Sequence, residues 1–163
     1  MVEKNNEEII YNLIKTYDFI ISKLYDIYPA KLESLKDSWE ISLSKYKQIL
    51  KQKNIPLSKL KSGLLQGLCE IPFILQSILT NEELNKAYSI YLKQIEKSKI
   101  KNILYSFFYK IYLNIIKKGS INNTDEFWMA QLIIDLYPQN STYLNKIDIE
   151  ELMELVDDFN SKL

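Results

Sequence analysis

Cys69 is the only thiol in the chain, so nucleophilic catalysis would have to be built on it or on a serine or threonine hydroxyl. Such a nucleophile needs a base within reach and surroundings that favour its anion. The chain has no His, and all 21 of its basic residues are Lys. Imidazole general-base chemistry and His metal ligation are therefore outside its repertoire. Without Arg there is no arginine finger and no bidentate grip on phosphate or guanine. Cys69 stands beside Glu70 in an apolar stretch. Both surroundings raise a thiol pKa, so it reads as a buried structural cysteine. Gly63 and Gly67 lack the Gly-Lys-Ser ending of a phosphate loop. No catalytic residue, metal, cofactor or small-molecule substrate is expected.

Two kinds of charged cluster remain. Glu150, Glu151, Glu154, Asp157 and Asp158 fall on one helix, with Glu150, Glu154 and Asp157/Asp158 on a shared face. A di-metal site draws acids from several helices, usually with a Glu-x-x-His pair, so this reads as a solvated acidic face. Lys45, Lys47, Lys51, Lys53, Lys59 and Lys61 gather around one helix–helix turn with Tyr46 among them, and Lys93, Lys97, Lys99 and Lys101 around another. Two readings stay open: solvated helix faces, or a weak, salt-dependent, non-specific contact with single-stranded DNA. The net charge is zero but uneven. Residues 1–118 hold 19 Lys against 12 acids (+7), and residues 119–163 hold 2 Lys against 9 acids (−7). A dipolar molecule of this kind could meet a basic partner at its acidic end.

These residues need a scaffold, and 163 residues with 47% hydrophobic content are enough for one domain with a core. Gly occurs 3 times and Pro 4 times, too few turn formers for an all-β fold. With one cysteine, no disulfide is expected. Met1–Glu8 is polar and acidic, unlike a secretory leader, and no apolar run approaches a membrane span. Cytoplasmic residence is the expectation.

Apolar periodicity predicts an all-α bundle of six or seven helices in a single domain, with the charge change near Gly119 as the one candidate boundary. The first helix is expected over Glu7–Tyr28, capped by Asn6 and ended by Pro29. A second is expected over Ser38–Lys53, opened by an Asp37/Glu40 capping box and closed with Asn54 left-handed. A third is expected over Ser58–Glu70 and broken by Pro72. Gly63 and Gly67 would mark close approach of a neighbouring helix. Thr80 with Glu83 opens a helix over Asn81–Lys97. Ile100–Lys118 follows and stops at Gly119. Thr124 caps a helix to Tyr137, with a loop at Gln139–Thr142. Asp148 with Glu151 caps a last helix through Phe159.

The segment Leu24–Ser77 resembles the core of the lambda-type phage replication protein P family, the helicase loaders. The elements are an amphipathic helix closing on Tyr28-Pro29-Ala30-Lys31-Leu32, then an aromatic (Trp39 or Tyr46) in a helix ending in Asn54-Ile55. Leu60 before Gly63-Leu64, Pro72-Phe73 and Ser77 come next in the family's order. Phe127-Trp128-Met129 is similar to an aromatic–Trp–apolar element in the family's second half. Leu75-Gln76 departs from it, standing where the family carries a Pro. The resemblance implies a non-enzymatic adaptor that binds the hexameric replicative DNA helicase of the host, opens its ring and delivers it to an origin. The contacts it suggests are Phe127, Trp128, Tyr137, Tyr143, Glu150, Glu154 and Asp158, although the aromatics also fall on apolar helix faces and fit a core role.

The rival reading is a stoichiometric inhibitor such as an immunity protein, an antitoxin or a phage counter-defence protein. Small helical size, missing catalytic groups and an acidic face all suit that class, and binding would then be tight, one-to-one and salt-sensitive.

Overall fold

A computed structural model describes residues 2–137 and 144–163, with side chains described from residue 5 onward. Among the described residues there are seven helices and no strand: α1 (Val2–Ile27), α2 (Pro29–Gln52), α3 (Leu57–Ile78), α4 (Asn81–Lys97), α5 (Lys101–Lys118), α6 (Thr124–Leu136) and α7 (Lys146–Ser161). The all-α expectation is met. No helix among them is long and apolar enough to cross a membrane. The chain divides into two compact units, Met1–Ile100 and Lys101–Leu163, so the division precedes the charge change near Gly119. Counted by unit, the charges are milder: 15 Lys against 12 acids in the first (+3), 6 Lys against 9 acids in the second (−3).

In the first unit α1 packs against α2, α3 and α4. Its buried stripe, Ile10, Leu13, Ile14, Ile20, Ile21 and Leu24, recurs at spacings of three and four. Each such side chain is stabilising by roughly 1.5–3 kcal/mol when fully buried. Thr16 is the one buried polar residue among them, and its hydroxyl donates back to the Asn12 carbonyl at 2.8 Å.

Helix boundaries differ from expectation where local signals compete. The first helix begins at Val2, so Asn6 lies inside it and caps nothing. The second begins at Pro29, well before Asp37. Proline suits a first helical turn because its missing N–H has no intrahelical partner there anyway, and Asp37 and Glu40 become mid-helix residues. The left-handed residue that closes α2 is Lys53 (φ 52°), not Asn54. The Lys53 N–H donates to the Ile49 carbonyl at 2.8 Å, completing the turn one residue early.

Pro72 does not break the third helix. It is buried within α3, which continues to Ile78. A helical Pro72 cannot donate to the carbonyl four residues back, that of Leu68. The Tyr91 hydroxyl from α4 donates to that carbonyl at 2.7 Å, with both residues buried. The tertiary contact replaces the bond the local sequence forfeits. Gly67 is a close approach, as expected: an added Cβ would stand 3.1 Å from Cε2 of Tyr17 on α1. Gly63 is not, since a Cβ there meets nothing within 4 Å.

The Thr80/Glu83 capping box forms as expected, and the Glu83 carboxylate also pairs with Lys31 of α2 at 2.7 Å. In the second unit α5 packs against α6 and α7, and α6 packs against α7. Gly119 (φ +70°) ends α5, as its position after Lys117 and Lys118 suggested.

Candidate functional site

The residues that carry the family resemblance are largely structural in the first unit. Trp39 is buried, stacks on Tyr17 (centroids 4.0 Å apart, planes within 9°) and donates its indole N–H to Asp18 at 2.8 Å. Tyr28 precedes α2, and Lys31 makes the ion pair with Glu83. Burial pushes the Cys69 thiol far up, and the neighbouring Glu70 charge adds to this. The pairing of low exposure with a neutral thiol fits a structural cysteine. Among the described residues no group of three or more His, Cys, Asp or Glu is placed to hold a metal ion.

The lysines around the α2–α3 turn do not form one surface. Lys45 and Lys47 are about 200° apart around the helix, on opposite sides of half-buried Tyr46. Lys53 pairs with Glu7 at 3.7 Å, Lys61 is half-buried, and Lys51 sits in the last turn of α2, where a cation suits the dipole. Lys59 is exposed in the first turn of α3. Lys97 and Lys99, by contrast, line a groove shared with α1.

In the second unit the aromatic and acidic candidates meet on α6 and α7. The cap of α6 is Asn123, whose side chain accepts from the Glu126 N–H at 2.9 Å; Thr124 is already the first helical residue. Asn precedes Thr here, and it closes the cap one residue upstream. The Glu126 carboxylate pairs with Lys118 and accepts from the Asn122 N–H, and these hold it below the usual carboxylate range. The turn that presents Phe127 and Trp128 is thereby fixed from both sides.

Phe127 is half-buried. Its ring stacks on Phe159 of α7 (centroids 5.3 Å apart, 27°) and meets the edge of Trp128 (5.0 Å, 69°). Phe127 is thus the packing partner, and Trp128, 43% exposed, is the aromatic left to solvent. Tyr137 is half-buried at the end of α6. Tyr143 and the Gln139–Thr142 loop lie outside the described residues.

α7 begins earlier than expected, with Asn145 as cap and Asp148 as the acid of the capping box. Asp148 accepts from the Asn145 N–H at 2.8 Å and from the Tyr112 hydroxyl of α5 at 3.0 Å. Burial, and then this hydrogen bond, push the Tyr112 phenol strongly up. Ile149, Leu152 and Val156 form the buried stripe. Glu150, Glu154 and Asp158 recur every four residues on the opposite side, all exposed. Glu150 is 3.7 Å from Lys146, while among the described residues Glu154, Asp157 and Asp158 carry no ion pair. α7 has no basic residue in its last turn, and Lys162 follows as its cap. Ile147, 73% exposed, stands three residues before Glu150 on the same outward face. Sequence reasoning missed it, although its place off the stripe of Ile149, Leu152 and Val156 is a legible signal.

No protein-family model, curated protein or solved structure matches the chain.

Proposed function

We propose that this chain is a protein-binding adaptor without a catalytic role, which seats a basic partner against the outer face of α7 and the exposed Trp128. The observation that carries the reading is the uncompensated acid on α7. Asp158 lies in the last turn of α7, at the negative end of the helix dipole, where an acid is unfavourable by about 0.3–1 kcal/mol, and Asp157 and Glu154 precede it on the same helix. They have no ion-pair partner within the described residues, so no cation of the fold offsets their charge. An exposed Trp with an exposed Ile on the same unit supplies the apolar anchors that a charged face alone lacks.

The resemblance of Leu24–Ser77 to replication protein P makes the partner the hexameric replicative DNA helicase of the host. On this reading the adaptor opens the ring by binding its open form better than its closed form. The test is size-exclusion with light scattering on a mixture of the chain and that helicase, with ATPase measured alongside. Several copies bound per hexamer, with altered ATPase, are expected. Trp128→Ala should weaken the complex by at least about 2 kcal/mol. The Glu154→Lys, Asp158→Lys pair should abolish it while leaving the melting temperature equal or higher, because cations suit that helix end. Absence of any complex at low salt and micromolar concentration would remove the helicase.

The same acidic face favours the second reading, a stoichiometric inhibitor of a basic target. That reading requires one-to-one binding that loosens steeply with salt, and a pull-down with wild-type and charge-reversed chain as bait would test it.

A further inference from the structure

Along α1, Tyr11, Lys15, Phe19 and Lys23 recur every four residues, an alternation of ring and cation on one helix edge with about 6 Å of rise per step. Tyr11 is 62% and Phe19 51% exposed, so neither ring serves the core. Lys15 holds its ammonium 5.9 Å from the centre of the Phe19 ring. Lys15, Phe19 and Lys23 form one wall of a groove of about 440 Å³, and Lys97, the last residue of α4, and Lys99, in the turn after it, form the other. The rest of its lining is neutral (Asn12, Thr16, Gln94 and Ser98), so no carboxylate faces it. Among the described residues none of the four lysines is in an ion pair. The nearest acids on this edge of α1, Glu8 and Asp26, lie a turn beyond its ends.

We propose that this groove is a binding site for single-stranded nucleic acid, whose backbone runs between the lysines of α1 and α4 while bases stack on Phe19 and Tyr11. The chemistry selects this ligand. Four unpaired ammonium groups attract a polyanion, and the exposed rings of Phe19 among them and Tyr11 one turn before Lys15 offer faces that a single strand can use and a stacked duplex cannot. Lys is a point charge without the fork geometry of Arg, so the contact discriminates strand state and not sequence. The site lies wholly in the first unit and does not depend on the α7 face.

The test is fluorescence anisotropy of a labelled oligodeoxythymidine titrated with the full chain. Four lysine–phosphate contacts on a single strand predict an affinity loss of about fifty-fold between about 50 and 200 mM salt. Phe19→Ala should weaken binding about ten-fold, and Phe19→Trp should restore it. Lys15→Glu with Lys97→Glu should abolish binding, while the control pair Lys45→Glu, Lys47→Glu changes it less than three-fold. All the substituted positions are solvent-exposed, and circular dichroism of each variant verifies the fold. The proposal is overturned by no anisotropy change at low salt, or by Phe19→Ala binding as wild type. Duplex DNA bound as tightly as the single strand, or phosphatidylserine vesicles bound in preference to it, would also overturn it.

Discussion

Tyr17 shows how one side chain can set the sequence requirement at another. Its ring is held between Trp39, stacked 4.0 Å away, and the Gly67 backbone. A methyl at Gly67 would need Tyr17 to yield by a few tenths of an ångström, and the Trp39 stack opposes that movement. Gly63, four residues earlier on the same helix, faces open space. Alanine should therefore have opposite effects at the two sites. Gly63→Ala should stabilise by about 0.5–1 kcal/mol through helix propensity and a less free unfolded chain. Gly67→Ala should destabilise by about 1–3 kcal/mol because overpacking outweighs that gain. Urea denaturation of the two variants measures both signs. The two glycines look identical in sequence, since what separates them is contributed by a residue fifty positions away.

Among the helices, α3 runs through a proline with the help of a neighbour. Pro72 removes the N–H that would bond the Leu68 carbonyl, and Tyr91 of α4 supplies a hydroxyl to it instead. Tyr91→Phe leaves a buried carbonyl without that donor and should cost about 1–3 kcal/mol. In a Pro72→Ala background the helix can supply its own N–H, so the same Tyr91→Phe change should cost less. A double-mutant cycle read by denaturant unfolding should return a coupling of at least about 0.5 kcal/mol. A coupling of zero would mean that Tyr91 and Pro72 act independently. The early start of α2 has a different origin. Pro29 was legible as the end of one helix, but a proline that ends a helix is equally suited to begin the next. Capping signals such as Asp37/Glu40 are satisfied only where the chain is free to start there.

For the molecule as a whole, the buried thiol of Cys69 and the buried phenols together set the alkaline limit. Burial, then the charges of Tyr46 and Glu70, push Tyr17 from 10.0 up to about 12. Burial and the bond to Asp148 push Tyr112 up as well. A phenol is neutral when protonated, and the folded state holds the proton more tightly than the unfolded chain. The contribution of Tyr17 is therefore complete below pH 10 and is lost as pH rises from 10 toward 12. Denaturation midpoints should be flat through neutral pH, begin to fall above about pH 9 as the thiol of Cys69 ionises in the unfolded chain, and fall further across the Tyr17 window. Tyr17→Phe should flatten the fall by up to about 1.4 kcal/mol per pH unit. A midpoint that falls equally in wild type and Tyr17→Phe would assign the loss to other groups.

Apolar spacing of three and four, with few glycines and prolines, was enough to establish an all-helical chain and the capping box at Thr80. Helix periodicity is local, and a capping box closes within four residues. The outward acids of α7 were equally legible, because a helical wheel places Glu150, Glu154 and Asp158 on one side. Which aromatics face solvent could not be read this way. Phe127 and Trp128 are adjacent, and only Phe159 of α7 decides that the first packs and the second stays exposed. The basic groove was also hidden, since Lys15 and Lys97 belong to helices far apart in the chain. Their meeting depends on α1 packing against α4, and that pairing is a property of the folded core.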